Sequence, residues 1–411
     1  MVLLTVLAGV VFALLPGRAS ATVPIAEWND GNGWFELAGY VRTFSGVSDL
    51  GYGEPLLTEV RGMNMGVGRL EWKAGFGPSV EAKLHNLLTW NVSSGVGDGV
   101  GGGSLFGVGA TRTSDRTLDL KTDLVDETGI RLTHDVDRAA VDIYTSAVDL
   151  TIGRQGITWG KSAVFPVADL WSQFSPFDLD TQQKPGVDAV RALFYPSLSS
   201  EIDVVIADRG SVEELSGGVR GAVTVGKFDL YGAAGKFWDE IIGIAGVAVV
   251  LDRVKLRAEG AFPWNLDVEE FRLPRATGGF EVYGADYAVG AEYHFNGVGA
   301  TSPSDYDEQF TKEEFLRGES YFLGRHYGGI FASYSGIQDI DLTMSAISNV
   351  TDPSFIVTPT VSYRLAQNTT LGAGAFVSAG EEPELSATSA SLESEYGAYG
   401  NFYFLEIAAY F

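Results

Sequence analysis

Along most of the chain, hydrophobic and polar residues alternate with a period of two, in stretches of about ten. Phe35, Leu37, Gly39 and Val41 alternate with Glu36, Ala38, Tyr40 and Arg42. Ala139, Val141 and Ile143 alternate with Arg138, Ala140, Asp142 and Tyr144. Ile202, Val204 and Ile206 alternate with Asp203, Val205 and Ala207, and Val254, Leu256 and Ala258 with Lys255, Arg257 and Glu259. At the C-terminus, Tyr403, Leu405, Ile407, Ala409 and Phe411 fall on one face, and Phe404, Glu406, Ala408 and Tyr410 on the other. A strand sends successive side chains to opposite faces, so the pattern predicts strands with one apolar face. Very little of the chain reads as helix. The predicted strands begin near residues 35, 62, 79, 135, 148, 187, 200, 217, 228, 240, 253, 278, 326, 339, 354, 368 and 399.

A soluble β-sandwich also alternates, with its apolar face in a core. The breaks between these strands argue for a barrel instead. Gly75–Pro78, Ser146–Ala147, Asp252–Arg253 and Ala366–Asn368 are tight turns. Residues 47–61, 91–127, 158–186, 264–277, 297–325 and 380–398 are long loops, mostly rich in Gly, Ser, Asp and Glu. Short turns on one side and long loops on the other are what a transmembrane barrel shows. Aromatic residues at predicted strand ends, such as Trp28, Trp34 and Phe35 or Phe402, Tyr403 and Phe404, suit an interfacial girdle. The fold class is therefore all-β: a closed transmembrane antiparallel β-barrel with long extracellular loops. Parity refines the count. If 278–296 were one strand, the loop at 297–325 would face the wrong side. Splitting it at a tight turn near Ala288–Gly290 gives about 18 strands, with 16 the next choice.

The N-terminus changes the picture. Residues 2–15 are almost all apolar and lead to Ala19-Ser20-Ala21, a small-residue cleavage pattern. Residues 1–21 are expected to be a signal peptide and 22–411 the barrel. The apolar run is short for a membrane-spanning helix. It has no Lys or Arg before it, which leaves open a start upstream of Met1. The chain holds no cysteine, which fits an envelope protein folded without disulfides. Its formal net charge of −25 is unsuited to nucleic acid, which is not an expected partner.

One stretch is more specific than periodicity. Gly153-Arg154-Gln155 ends a strand, Trp159-Gly160-Lys161-Ser162 follows, and Phe174-Ser175-Pro176-Phe177-Asp178-Leu179 comes after it. Asp137-Arg138 precedes this stretch, and Glu292-Tyr293-His294-Phe295-Asn296-Gly297 and Gly324-Arg325-His326-Tyr327 follow it. Together they resemble a family of outer-membrane porin-like β-barrels that includes alginate-export-type porins. That resemblance implies a barrel of 18 or so strands, with the loop after Gln155 folded toward the pore. In alginate-type channels a lumen dense in Arg and Lys attracts a polyuronate, and here the basic residues are fewer.

Alternation places Arg42, Arg69, Lys73, Arg138, Arg191, Arg220, Lys255, Arg257 and Arg364 inward, with Glu71, Asp142, Glu259 and Glu292 among the acids sharing that face. Opposed charges across a pore make a transverse field that orients polar solutes. Singly, each such residue would equally serve to solvate the wall. The loop at 158–186 is unusually aromatic, and Trp159, Phe165, Trp171, Phe174 and Phe177 would not remain in water. It predicts an inward constriction involving Arg154, Gln155, Trp159, Lys161, Asp169, Asp178 and Asp180, against a loop packed on the rim. Strict alternation puts Arg154 on the lipid face, so it either sits at the rim or is turned inward by a bulge at Gly153.

The remaining motifs carry little chemistry. Gly156-x-x-x-Gly160-Lys161-Ser162 lacks the first glycine spacing and the following helix of a phosphate loop. The Gly95–Gly103 run reads as a loop. The four histidines are not at metal-ligand spacing, and no nucleophile signature supports an enzyme. No cofactor or metal is called for. Acidic loops, such as Asp305 to Glu314 and Glu381 to Glu384, offer carboxylates for divalent bridging to lipopolysaccharide or simply solvate the surface. The expected function is passive diffusion of small hydrophilic solutes or ions. The alternatives are a selective exporter of an acidic polysaccharide and a non-conducting structural or adhesion barrel. The expected partners are outer-membrane lipid and lipopolysaccharide, the solutes, and the barrel-assembly machinery, which a terminal Phe411 would engage.

Overall fold

The computed structural model describes residues 24–49, 61–94, 116–175, 178–210, 214–385 and 390–411. The expected signal peptide at 1–21 and the Gly95–Gly103 run lie outside the described residues, as does Phe177.

Eighteen antiparallel strands make one closed wall. They are β1 (Gly33–Asp49), β2 (Arg61–Phe76), β3 (Val80–Ser93), β4 (Ile130–Tyr144), β5 (Val148–Gln155), β6 (Val187–Ser197), β7 (Ser200–Ala207), β8 (Ser216–Val225) and β9 (Phe228–Phe237). They continue with β10 (Glu240–Leu251), β11 (Val254–Asn265), β12 (Arg275–Tyr283), β13 (Tyr287–Asn296), β14 (His326–Ile337), β15 (Ile340–Asn349), β16 (Ser354–Ala366), β17 (Thr369–Ala379) and β18 (Asn401–Tyr410). Each strand pairs with the next, and β18 returns to β1 with Tyr410 opposite Tyr40 and Asn401 opposite Asp49. Closure leaves no unpaired edge, the condition a sheet must meet in hydrocarbon. Three short segments, Ala26–Asn29, Thr122–Glu127 and Glu270–Phe271, extend the wall at its ends. Phe411 exchanges backbone hydrogen bonds with Gly39 and completes the seam.

The outer face is apolar. Leu256 lies opposite Phe280, and Val249 opposite both Leu256 and Phe228, with Leu256, Phe280 and Phe228 at least 41% exposed. Ile152, Val190 and Ile206 form a similar exposed row on β5 to β7. Such a contiguous belt is unsustainable in water and is satisfied by lipid. Among the described residues no helix is long and apolar enough to cross a membrane, and this chain crosses with strands.

Two details differ from the sequence expectation. The turn that splits 278–296 lies at 284–286, a few residues earlier than Ala288–Gly290, so both halves are full strands. Phe402 and Phe404 do not join an interfacial girdle. They are buried on the inner face, and only Tyr403 between them is exposed outward. The reason is the period of two, which cannot put three consecutive aromatics on one side.

Candidate functional site

The site is built by the connection between β5 and β6. Its described residues, 156–175 and 178–186, do not stay outside the wall. They fold into the lumen and touch strands on opposite sides of it. Burial of their apolar side chains is the cause. Ile157, Trp159, Leu170 and Trp171 pack against Val205, Phe237, Ile242 and Ala261 on β7, β9, β10 and β11. Phe165 and Leu179 join Phe44, Met65, Tyr327, Ile347, Phe402 and Phe404 on the other side. The indole of Trp159 meets Trp171 and Phe237 edge-on, at 5.1 and 6.3 Å between centroids. Gly218 on β8 makes room for it, since a Cβ there would stand 2.9 Å from the ring. The lumen is therefore partly filled by two apolar clusters, built on the aromatic side chains of this loop.

Polar contacts fix the loop around that apolar anchor. Asp169 accepts the backbone N–H groups of Trp159 and Gly160 at 2.7 and 2.9 Å, and it pairs with Lys184. Trp159 Nε1 donates to Asp203 at 2.8 Å, and Arg191 donates to both oxygens of the same carboxylate. Glu259 accepts Lys161 N–H at 2.9 Å and the Tyr231 hydroxyl at 2.5 Å. Glu292 accepts three successive backbone amides, those of Ala163, Val164 and Phe165, at 2.7, 2.8 and 3.2 Å. Thr277 donates to Phe165 O, and the Phe165 ring stacks on His294 at 5.1 Å. Across the lumen, Asp180 accepts from Arg42 at 2.7 Å and from the Tyr40 hydroxyl at 3.1 Å. Gln182 reaches Tyr410, Gln183 donates to Glu71, and Lys184 O accepts from Arg138.

The sequence-picked residues thus divide. Arg42, Glu71, Arg138, Arg191, Arg257, Glu259 and Glu292 meet on or beside the folded loop, with Trp159, Lys161 and Asp180 supplied by it. Arg257 also donates to Lys161 O and pairs with Glu281 and Glu292. Arg69 is one step back, bound to Asp137 at 2.8 Å, with Arg116 completing a buried cluster on Asp135 and Asp137. Lys73 and Asp142 sit toward the turn end, Lys73 near Glu36 and Glu71, and Asp142 bound to Lys83 and Thr151. Lys255 stands in register with Glu281 on β12, and Arg220 binds Glu201.

Three residues sit where a constriction loop would not put them. Gln155 donates to the carbonyls of Ala189, Thr151 and Gly153, binding strands rather than lumen. Arg154 is buried at the end of β5, in a fork with both oxygens of Asp188 and bonds to Val136 O and Leu118 O. Gly153 takes φ of 116°, so both the rim and the local distortion contribute to sheltering that charge. Asp178 closes a turn within its own loop by accepting Ser175 N–H. Asp169 belongs to the constriction, as the aromatic loop's sequence predicts, while Lys184, Thr277 and His294 are contributors that alternation alone does not single out.

Space remains on both sides of the loop. One cavity of about 780 Å³ is lined by Lys161, Glu201, Arg220 and the Leu198 turn. A second of about 380 Å³ lies between Phe165, Phe174, Lys184, His294 and Tyr321. Among the described residues no group of three or more His, Asp or Glu is placed to hold a metal ion. Glu313 and Glu314 pair with Arg317 and Arg272. Residues 390–400 dock through Glu395. It receives hydrogen bonds from the Tyr327 hydroxyl, Leu323 N–H and Asn349, and burial pushes its carboxyl up to about 8.

Fold and site together define a class: a closed 18-strand membrane barrel with one long loop folded across its bore. Solved structures share the barrel fold. OccAB2 of Acinetobacter baumannii is similar with a TM-score of 0.58 and 10% identity, over 92% of this chain and 98% of that one. A BenF-like porin from Pseudomonas fluorescens Pf-5 is similar with a TM-score of 0.57 and 11% identity, over the same shares. The outer membrane protein OpdK of Pseudomonas aeruginosa is similar with a TM-score of 0.53 and 9% identity, also over 92% and 98%. No family model matches the chain, and no curated protein matches it in sequence. These neighbours carry the porin-like barrel, and not the narrower relation to alginate-export-type porins.

Proposed function

We propose that the chain is a bacterial outer-membrane porin for passive diffusion of small hydrophilic solutes or ions, with residues 156–186 as its constriction. The observation that carries this reading is the loop bonded to opposite walls, Asp180 to Arg42 on β1 and Ala163–Phe165 to Glu292 on β13, inside a closed barrel. A loop so held would narrow the bore, and cavities of about 380 and 780 Å³ beside it support a passage that is not sealed. Opposed charges line the passage, a field suited to polar solutes. Acidic-polysaccharide export would call for unpaired cations, whereas Arg42, Arg69, Arg191, Arg220 and Arg257 each carry a carboxylate partner. Residues 1–21 would direct secretion, Phe411 would engage the assembly machinery, and the apolar belt would meet lipid and lipopolysaccharide.

The test is single-channel conductance of the refolded mature chain in a planar bilayer, with the reversal potential in a salt gradient. Stable unitary steps are expected. Silence from a barrel shown to be folded would overturn the reading. Vanillate is the first solute to add, since OpdK has been solved with it.

A further inference from the structure

We infer that Glu292, assisted by Glu259, is a positioning residue that sets the bore by gripping the loop through its backbone. The inference rests on the channel reading for its consequence, but not for its first test. Glu292 takes all of Ala163 N–H, Val164 N–H and Phe165 N–H, and Glu259 takes Lys161 N–H. Thr277 donates to Phe165 O and Arg257 to Lys161 O, so β11, β12 and β13 hold six backbone groups of one short segment, four N–H and two C=O. Both carboxylates are buried. Glu292 crosses toward the loop over Gly279, where a Cβ would stand 2.5 Å from its own Cγ.

The geometry has a specific consequence. A grip on backbone amides is indifferent to the side chains of the gripped segment. It fixes where that segment stands while leaving Lys161 and Ala163 exposed, each lining a cavity beside the loop. A carboxylate suits this task because it has acceptors only. A glutamine offers one acceptor oxygen and points N–H groups at N–H groups. Each charge-assisted bond to a carboxylate corresponds to roughly tenfold or more in a local opening equilibrium.

The experiment compares the full barrel in lipid as wild type, Glu292→Gln, Glu292→Ala and Asp229→Asn. The last removes an inner-face carboxylate that binds Thr224 near a turn and does not touch the loop. Amide exchange over residues 161–165 is the first readout. Both Glu292 variants are expected to exchange about tenfold faster or more there, with Asp229→Asn unchanged. Open-channel current is the second: the Glu292 variants gain conductance substates and noise, and Asp229→Asn keeps the wild-type trace. Wild-type exchange over 161–165 in folded Glu292→Ala overturns the inference, whatever the currents. A silent wild type removes the channel reading and leaves the grip to be judged by exchange. Faster exchange with an unaltered trace in a conducting protein overturns the claim that the grip sets the bore.

Discussion

Trp159→Ala is the sharpest test of how the loop is held. The side chain is 1% exposed and lies between Trp171 and Phe237, with its Nε1 on Asp203. Removing a fully buried indole forfeits its transfer free energy and leaves a cavity, about 3–5 kcal/mol in a packed site. Loss of the edge-on aromatic contacts is included in that figure. Asp203 is not orphaned, because Arg191 still donates to both of its oxygens at 3.0 and 2.8 Å. The polar part is therefore small, and Trp159→Phe, which keeps most of the ring and drops the Nε1 bond, should lose only about 1 kcal/mol. The assay is reversible urea unfolding of the barrel in lipid vesicles. The expected order is wild type, then Trp159→Phe, then Trp159→Ala, with the last about 4 kcal/mol below the first. A Trp159→Ala barrel within about 1 kcal/mol of wild type would show that the loop is not anchored by this cluster, and that its place rests on the polar contacts alone.

Two further outcomes follow from the charges. Lys161→Glu reverses a charge beside the cavity that holds Arg220 and Glu201, so the reversal potential should move toward cation preference, and an unchanged potential would remove Lys161 from the conduction path. The docking of residues 390–400 should weaken as pH rises. The Glu395 carboxyl is raised from an ordinary value of 4.5 to about 8, so the folded state holds the proton more tightly than the unfolded one. Its contribution is fully present below about 4.5 and is lost as pH climbs through about 8. Protease sensitivity of that loop should therefore increase over this window in wild type and stay flat in Glu395→Gln.

Much of the wall was legible in the sequence, because a strand's period of two writes its two environments directly into residue order. Lipid outside and a bonded interior give Ile202 and Ile206 one fate and Asp203 another. Parity of the long loops was enough to require a turn inside 278–296. Its position escaped because Gly284–Asp286 and Ala288–Gly290 are both small-residue stretches, and only the pairing of Tyr283 with Ala288 selects between them. The inward fold of 156–186 was also legible, since Trp159, Phe165 and Trp171 in one loop cannot stay hydrated.

The tertiary structure decided everything that depends on who meets whom across the bore. Glu292 binds amides 127 to 129 residues earlier in the chain, and backbone amides leave no signature in residue type. Gly218 reads as an ordinary strand glycine until an indole lies over it. For Arg154 the residue order offered two shelters, the rim or a bulge at Gly153, and only the structure supplies the left-handed φ of Gly153 together with the countercharge of Asp188 from the next strand. Local order specifies which face a side chain takes. Closure of the barrel specifies which faces confront one another, and that is a property of the register of all 18 strands at once.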